Sequence, residues 1–109
     1  MFIRNEQFDL DLVLPDHGPI PKKYHISATA AGDSHVGELI NHISTLKNEI
    51  GECSWPRWTT LEHIAEAIYK RFSVYNNQIS AGLLKITEVT VNDYNSTVTY
   101  LPDEGQNGY

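Results

Sequence analysis

An α+β domain of order strand–strand–helix–helix–strand–strand, ββααββ, is predicted by three features of the 109-residue sequence. Apolar and polar residues alternate in two stretches near the start and two near the end, the period of half-buried strands. Between them the apolar spacing changes to three and four, as in helices with one buried stripe. Turn-forming residues separate the stretches. The simplest packing is a four-stranded antiparallel sheet with both helices on one face.

Phe8, Leu10, Leu12 and Leu14 alternate with Asp9, Asp11 and Val13 and predict the first strand. Pro15 to Pro21 holds three prolines in seven residues, which remove backbone donors and fix φ, so this is a stiff connecting loop. Tyr24, Ile26, Ala28 and Ala30 alternate with His25, Ser27 and Thr29, giving a second strand that Gly32-Asp33 ends. The two should form a hairpin.

Val36, Leu39, Ile40, Ile43, Leu46 and Ile50 follow helical spacing, with Asp33 or Ser34 as a cap and Gly51 as a stop. A loop with Cys53, Trp55, Pro56 and Trp58 leads to Thr59-x-x-Glu62, a capping box for a second helix. That helix carries Leu61, Ile64, Ala65, Ile68 and Phe72 as its stripe and should stop before Asn76-Asn77-Gln78. Leu84 and Ile86 alternate, then Val89 and Val91 do so one residue out of phase, which predicts a bulge at Thr87–Glu88 in the third strand. Asp93-Tyr94-Asn95 supplies a turn, and Val98 and Tyr100 with Thr97 and Thr99 make the fourth strand. The expected organisation is one domain over residues 1–101 with a frayed tail over 102–109. An open sheet has two edges to be blunted or paired, so a homo-oligomer joined edge to edge is expected.

Composition narrows the function classes. With 14 acidic and 8 basic residues the formal charge is −6, and no basic cluster exceeds a pair such as Lys22–Lys23 or Lys70–Arg71. Binding to a phosphate backbone or an anionic membrane rests on concentrated positive charge, so neither is expected as the main partner. Cys53 is alone, which excludes an internal disulfide and suits a reducing compartment. Arg4, Asn5, Glu6 and Gln7 interrupt any apolar leader, and a cytoplasmic location follows as the expectation. Asn95-Ser96-Thr97 has the form of a glycosylation acceptor, a triplet too common by chance to carry weight.

Residues 8 to 101 resemble the 6-pyruvoyl-tetrahydropterin synthase and 6-carboxytetrahydropterin synthase family, which has the tunnelling fold. Thr59-Thr60-Leu61-Glu62-His63-Ile64-Ala65 is similar to the family's Pro-Thr-x-Glu-Asn-Leu-Ala helix. Val89 to Tyr100 resembles its final hairpin, Val-x-Val-x-Glu-Thr-Pro followed by small polar residues and a Tyr, with Asp93 in the place of the glutamate. The resemblance implies that Asp93, with Tyr94 beside it, holds a pterin, purine or deazapurine ring, since one carboxylate can accept two hydrogen bonds from an aminopyrimidinone edge. As a residue of its turn, Asp93 has a second role open to it, accepting hydrogen bonds from the backbone that follows.

The first half departs from the family. Its zinc-binding His-Gly-His-Asn-Tyr would fall on Ile20-Pro21-Lys22-Lys23-Tyr24, and the first-strand histidine, the catalytic Cys and the Asp-His pair have no counterparts. Zinc-dependent lyase chemistry is therefore not expected, and no cofactor, metal ligand or catalytic residue is assigned. His17, His25, His35, His42 and His63 do not have the spacing of one site; His35 and His42 are two helical turns apart. Cys53 lacks any surrounding nucleophile signature, and Trp55 and Trp58 read as a cover for the core. Two functions remain. One is a ring-binding relative of the pterin synthases; the alternative is a non-enzymatic acidic interaction or inhibitor protein that binds a protein partner.

Overall fold

The computed structural model describes residues 1–13, 20–50, 60–79 and 82–102. Leu14, residues 15–19 of the proline-rich loop with His17 among them, Gly51, Cys53, Trp55, Trp58, Thr59 and the tail from 103 lie outside the described residues. The elements are β1 (Phe2–Leu12), β2 (Lys22–Gly32), α1 (Glu38–Glu49), α2 (Leu61–Ile79), β3 (Lys85–Asn92) and β4 (Thr97–Tyr100). They form the predicted ββααββ fold, with one antiparallel sheet in the order β1-β2-β3-β4.

β1 starts six residues before the expected Phe8. Phe2 to Gln7 have no apolar alternation, but β2 continues to Gly32, and the ladder pairs Phe2 with Gly32, Arg4 with Ala30 and Glu6 with Ala28. Backbone hydrogen bonds hold this stretch whatever its side chains. Arg4 and Glu6 lie on the helix-facing side, over small alanines, and pair with each other through Nε and Oε2 at 3.0 Å. Gly32 sits in a close approach: a Cβ there would lie 3.1 Å from the Leu83 carbonyl oxygen, a tight contact.

The bulge falls as the phase change predicts. Thr29 pairs with Glu88 and Ala30 with Ile86, leaving Thr87 as the extra residue. Its hydroxyl donates to the Thr29 carbonyl at 3.3 Å. The shift returns Val89 and Val91 to the core face, where both are fully buried.

α1 differs from expectation at its start and in its stripe. Residues 34–37 form a turn, Gly37 takes the N-cap position, and neither Asp33 nor Ser34 caps the helix. The buried side is Leu39, His42, Ile43 and Leu46, while Ile40 is exposed. α2 is capped by the Thr60 hydroxyl, which accepts from the His63 N–H at 3.3 Å. It also runs through Asn76, Asn77 and Gln78, because Tyr75 is buried and Asn76 is tied to β3. The Asn76 Oδ1 accepts from the Leu84 N–H at 3.0 Å, and its amide donates to the Leu84 carbonyl.

The core lies between the sheet and the helices. Phe72 of α2 meets Phe8 edge-on at 6.3 Å and Tyr75 at the same distance, beneath fully buried Ile26, Leu46 and Ile68. The Tyr69 and Tyr100 rings meet at a tilt with centroids 5.0 Å apart, joining α2 to β4. Among the described residues no helix is long and apolar enough to cross a membrane.

Candidate functional site

Among the described residues no helix covers the other side of the sheet, and its outward side chains are set by strand parity and register. Asn5, Gln7 and Asp9 of β1 lie opposite Thr29, Ser27 and His25 of β2, which in turn lie opposite Glu88, Thr90 and Asn92 of β3. Thr99 and Thr97 of β4 complete the rows. The face is polar and internally bonded. The Asn5 amide donates to Ser27 Oγ at 2.8 Å and Thr29 Oγ1 at 2.9 Å, Thr90 and Thr99 share a 2.8 Å hydroxyl contact, and Asn92 donates to Thr97 Oγ1 at 2.5 Å.

At the end of this face next to the β3–β4 turn, Asp9, Lys23, His25, Asn92 and Tyr94 line a depression of about 290 Å³. His25 Nδ1 lies 2.8 Å from Asp9 Oδ1, and Nε2 lies 3.2 Å from Gln7 Oε1, so β1 fixes the ring from both sides. The His25 hydrogen bond chiefly, with the charges of His25, Lys23 and Lys47, holds the Asp9 carboxyl below its usual range. Asp9 Oδ2 and the Lys23 ammonium have no hydrogen-bond or ion-pair partner among the described residues. A free acceptor therefore sits in the same cup as a free donor.

The β3–β4 turn builds the rim. Asp93 Oδ1 accepts from the N–H groups of Ser96 at 3.0 Å and Asn95 at 3.1 Å, and Oδ2 receives Lys22 Nζ at 3.4 Å. The Ser96 N–H is the largest influence holding this carboxyl below the usual range, helped by Asn95 and Lys22. Asp93 points to the helix-facing side, with 15% of its side chain exposed, and does not line the cup. Its oxygens are occupied by the turn and by Lys22, the role its turn position suggests. Asp93→Ala should therefore lower the thermal midpoint by a few degrees through lost turn bonds, read by differential scanning calorimetry.

Tyr94 does reach the cup. Its N–H donates to Asn92 Oδ1 at 3.0 Å, its φ is +81°, and the residue is 83% exposed. A bulky side chain in the left-handed region costs about 1–2 kcal/mol, and an exposed ring recovers none of that by packing inside the chain.

The other described histidines are not gathered into one site. His35 is exposed in the turn before α1, His63 is exposed on α2, and His42 is buried on α1. Among the described residues no group of three or more His, Cys, Asp and Glu side chains could hold a metal ion. Asp9, Lys23, His25 and Asn92 are cup residues that motif reading passes over. Their only signal in the sequence is shared parity on strands whose register has to be known. No family model matches the chain, and no curated protein matches it.

Proposed function

We propose that this chain is a ring-binding protein, a divergent relative of the pterin synthases without their zinc-dependent lyase chemistry, which takes a pterin, purine or deazapurine ring into the cup. The observation that carries this reading is Tyr94. A turn of this kind is met at lower cost by glycine or asparagine, yet an exposed aromatic ring stands there in left-handed backbone at the mouth of the cup. Strain that nothing inside the fold rewards is explained by a contact outside it, and a phenol ring offers a stacking face for a planar heterocycle. Below it, Asp9 Oδ2 can accept a ring N–H while Lys23 donates to the neighbouring ring carbonyl, complementary to a lactam edge. In this reading Asp93 shapes the rim that presents Tyr94, and Asp9 takes the carboxylate role that the resemblance gives to Asp93. A cytoplasmic setting suits the lone Cys53.

Titration with pterin, guanine and 7-deazaguanine, followed by ligand fluorescence or calorimetry, tests the assignment. Tyr94→Gly is expected to weaken binding about tenfold or more while raising the thermal midpoint, because stacking is lost and strain relieved together. Tyr94→Phe should keep most of the affinity. Wild-type affinity in Tyr94→Gly, or no binding of any of the three rings by the wild type, would remove the proposal.

The sheet edges favour a second reading, that of an interaction protein. The outer edge of β1 runs from Phe2 to Leu12 without a partner strand among the described residues. Its backbone groups can pair with a second copy or a protein partner, and the excess of acidic residues would steer a basic one. Light scattering over a wide concentration range distinguishes the two: a homo-oligomer supports pairing between copies, and a monomer throughout leaves only a different protein for this edge.

A further inference from the structure

His42 lies in the middle of the inward side of α1 and is fully buried, yet neither Nδ1 nor Nε2 has a hydrogen-bond partner among the described residues. Buried imidazoles ordinarily have at least one partner. Its surroundings are apolar and aromatic. Leu39, Ile43 and Leu46 share its helix face, and the Tyr75 ring of α2 meets it edge-on at 6.2 Å.

The ionisable groups on the packed elements do not serve it. Glu38, one turn back on α1, is a nearby charge that favours the protonated ring, but its carboxylate accepts from the Asn41 amide at 2.8 Å. From α2, the Tyr75 hydroxyl is bonded to Glu49 of α1, and Arg71 lies 4.0 Å from the same carboxylate. On the helix-facing side of β1, Arg4 and Glu6 are paired with each other, and Lys47 of α1 lies over the Phe8 ring at 5.8 Å. Burial holds the imidazole below its ordinary value of 6.5, so the packed ring is neutral at neutral pH. A protonated ring would bring a charge and two N–H donors into a place where no described residue accepts from it.

Among the described elements α1 is also less extensively packed than α2. It packs chiefly on α2 and β1, whereas α2 lies along β3 and β4, and its first turn has no side-chain cap. We propose that α1 is an acid-released flap, in which protonation of His42 detaches the helix from α2 while α2 and the sheet stay folded, uncovering Phe8, Phe72 and Tyr75. The sign follows from linkage: the released ring binds protons more readily than the packed one. Closure is therefore fully favoured above pH 6.5 and is lost as pH falls from 6.5 toward the value of the packed ring.

Hydrogen exchange read by mass spectrometry at pH 7.5 and 5.5, corrected for intrinsic rates, tests the flap in the intact chain. Peptides covering Glu38–Glu49 should lose protection at the lower pH by several-fold, with a ceiling of about tenfold for one histidine, while β2 and β3 keep theirs. His42→Leu should abolish the pH effect, and His42→Gln, neutral at both pH values, gives the same comparison if the leucine variant does not fold. Unchanged protection of α1 in the wild type, an equal loss in the variants, or a loss shared uniformly by the sheet would each overturn the flap.

Discussion

Phe72→Ala is expected to destabilise the protein by about 3–5 kcal/mol, the largest effect of any single substitution considered for this fold. Phe72 is fully buried on α2 and touches the rings of both Phe8 and Tyr75, so it bridges the β1 end of the sheet and the helix pair. Truncation removes apolar surface and leaves a cavity between elements that cannot both close on it. A small domain has about 5–15 kcal/mol in total, so the variant should unfold at much lower urea with an unchanged slope. A cost below about 1 kcal/mol would mean that α2 can shift inward and that the core is less tightly fitted than the ring contacts imply.

Asn76→Ala is expected to cost about 2 kcal/mol, although the residue is only half-buried and alanine is the better helix former. The amide of Asn76 bonds both backbone groups of Leu84 just before β3, acting as one residue of an additional strand. The Gly82 N–H also returns to the Asn76 carbonyl at 2.9 Å, within a turn where Gly82 has a φ of +75°. Loss of the side chain leaves an N–H and a C=O without partners. Asn76→Asp separates the two halves of the effect, since a carboxylate can still accept from the Leu84 N–H but cannot donate to its carbonyl. Urea denaturation should rank the wild type first, the Asn76→Asp variant second and the Asn76→Ala variant last.

Much of the fold was legible because its strands obey parity. Phe8 to Leu12, Tyr24 to Ala30 and Val89 to Val91 alternate cleanly, and the slip between Ile86 and Val89 announces the bulge before any pairing is known. What was not legible depends on partners. Phe2 to Gln7 become strand because β2 offers a ladder, and Asn76 to Gln78 stay helical because Leu84 lies within reach. Helical spacing alone did not separate Ile40 from His42, since both flank the Leu39–Ile43 line; the approach of α2 turned the histidine inward.

The candidate site was legible only in part. The turn chemistry of Asp93 is local and readable, and its carboxylate satisfies that turn. Tyr94 was singled out by its place beside Asp93, but its backbone conformation was not foreseeable from residue type. The cup walls come from β1, β2 and β3, and a one-residue slip of any of them would send Asp9, His25 or Asn92 to the other face.

The strand order β1-β2-β3-β4 has a kinetic consequence. Its outer pairings join neighbours in the chain, Asn92 meeting Thr97 only 5 residues away, whereas the central pairing brings together Thr29 and Glu88, 59 residues apart. Closing the longer loop costs about 2 kcal/mol more chain entropy than closing the shorter one. The two hairpins can therefore form early and separately, and the β2–β3 seam, with the helices that bridge it, is the late and rate-limiting event. Substitutions along that seam should slow folding, while those at the β3–β4 turn should act mainly on unfolding.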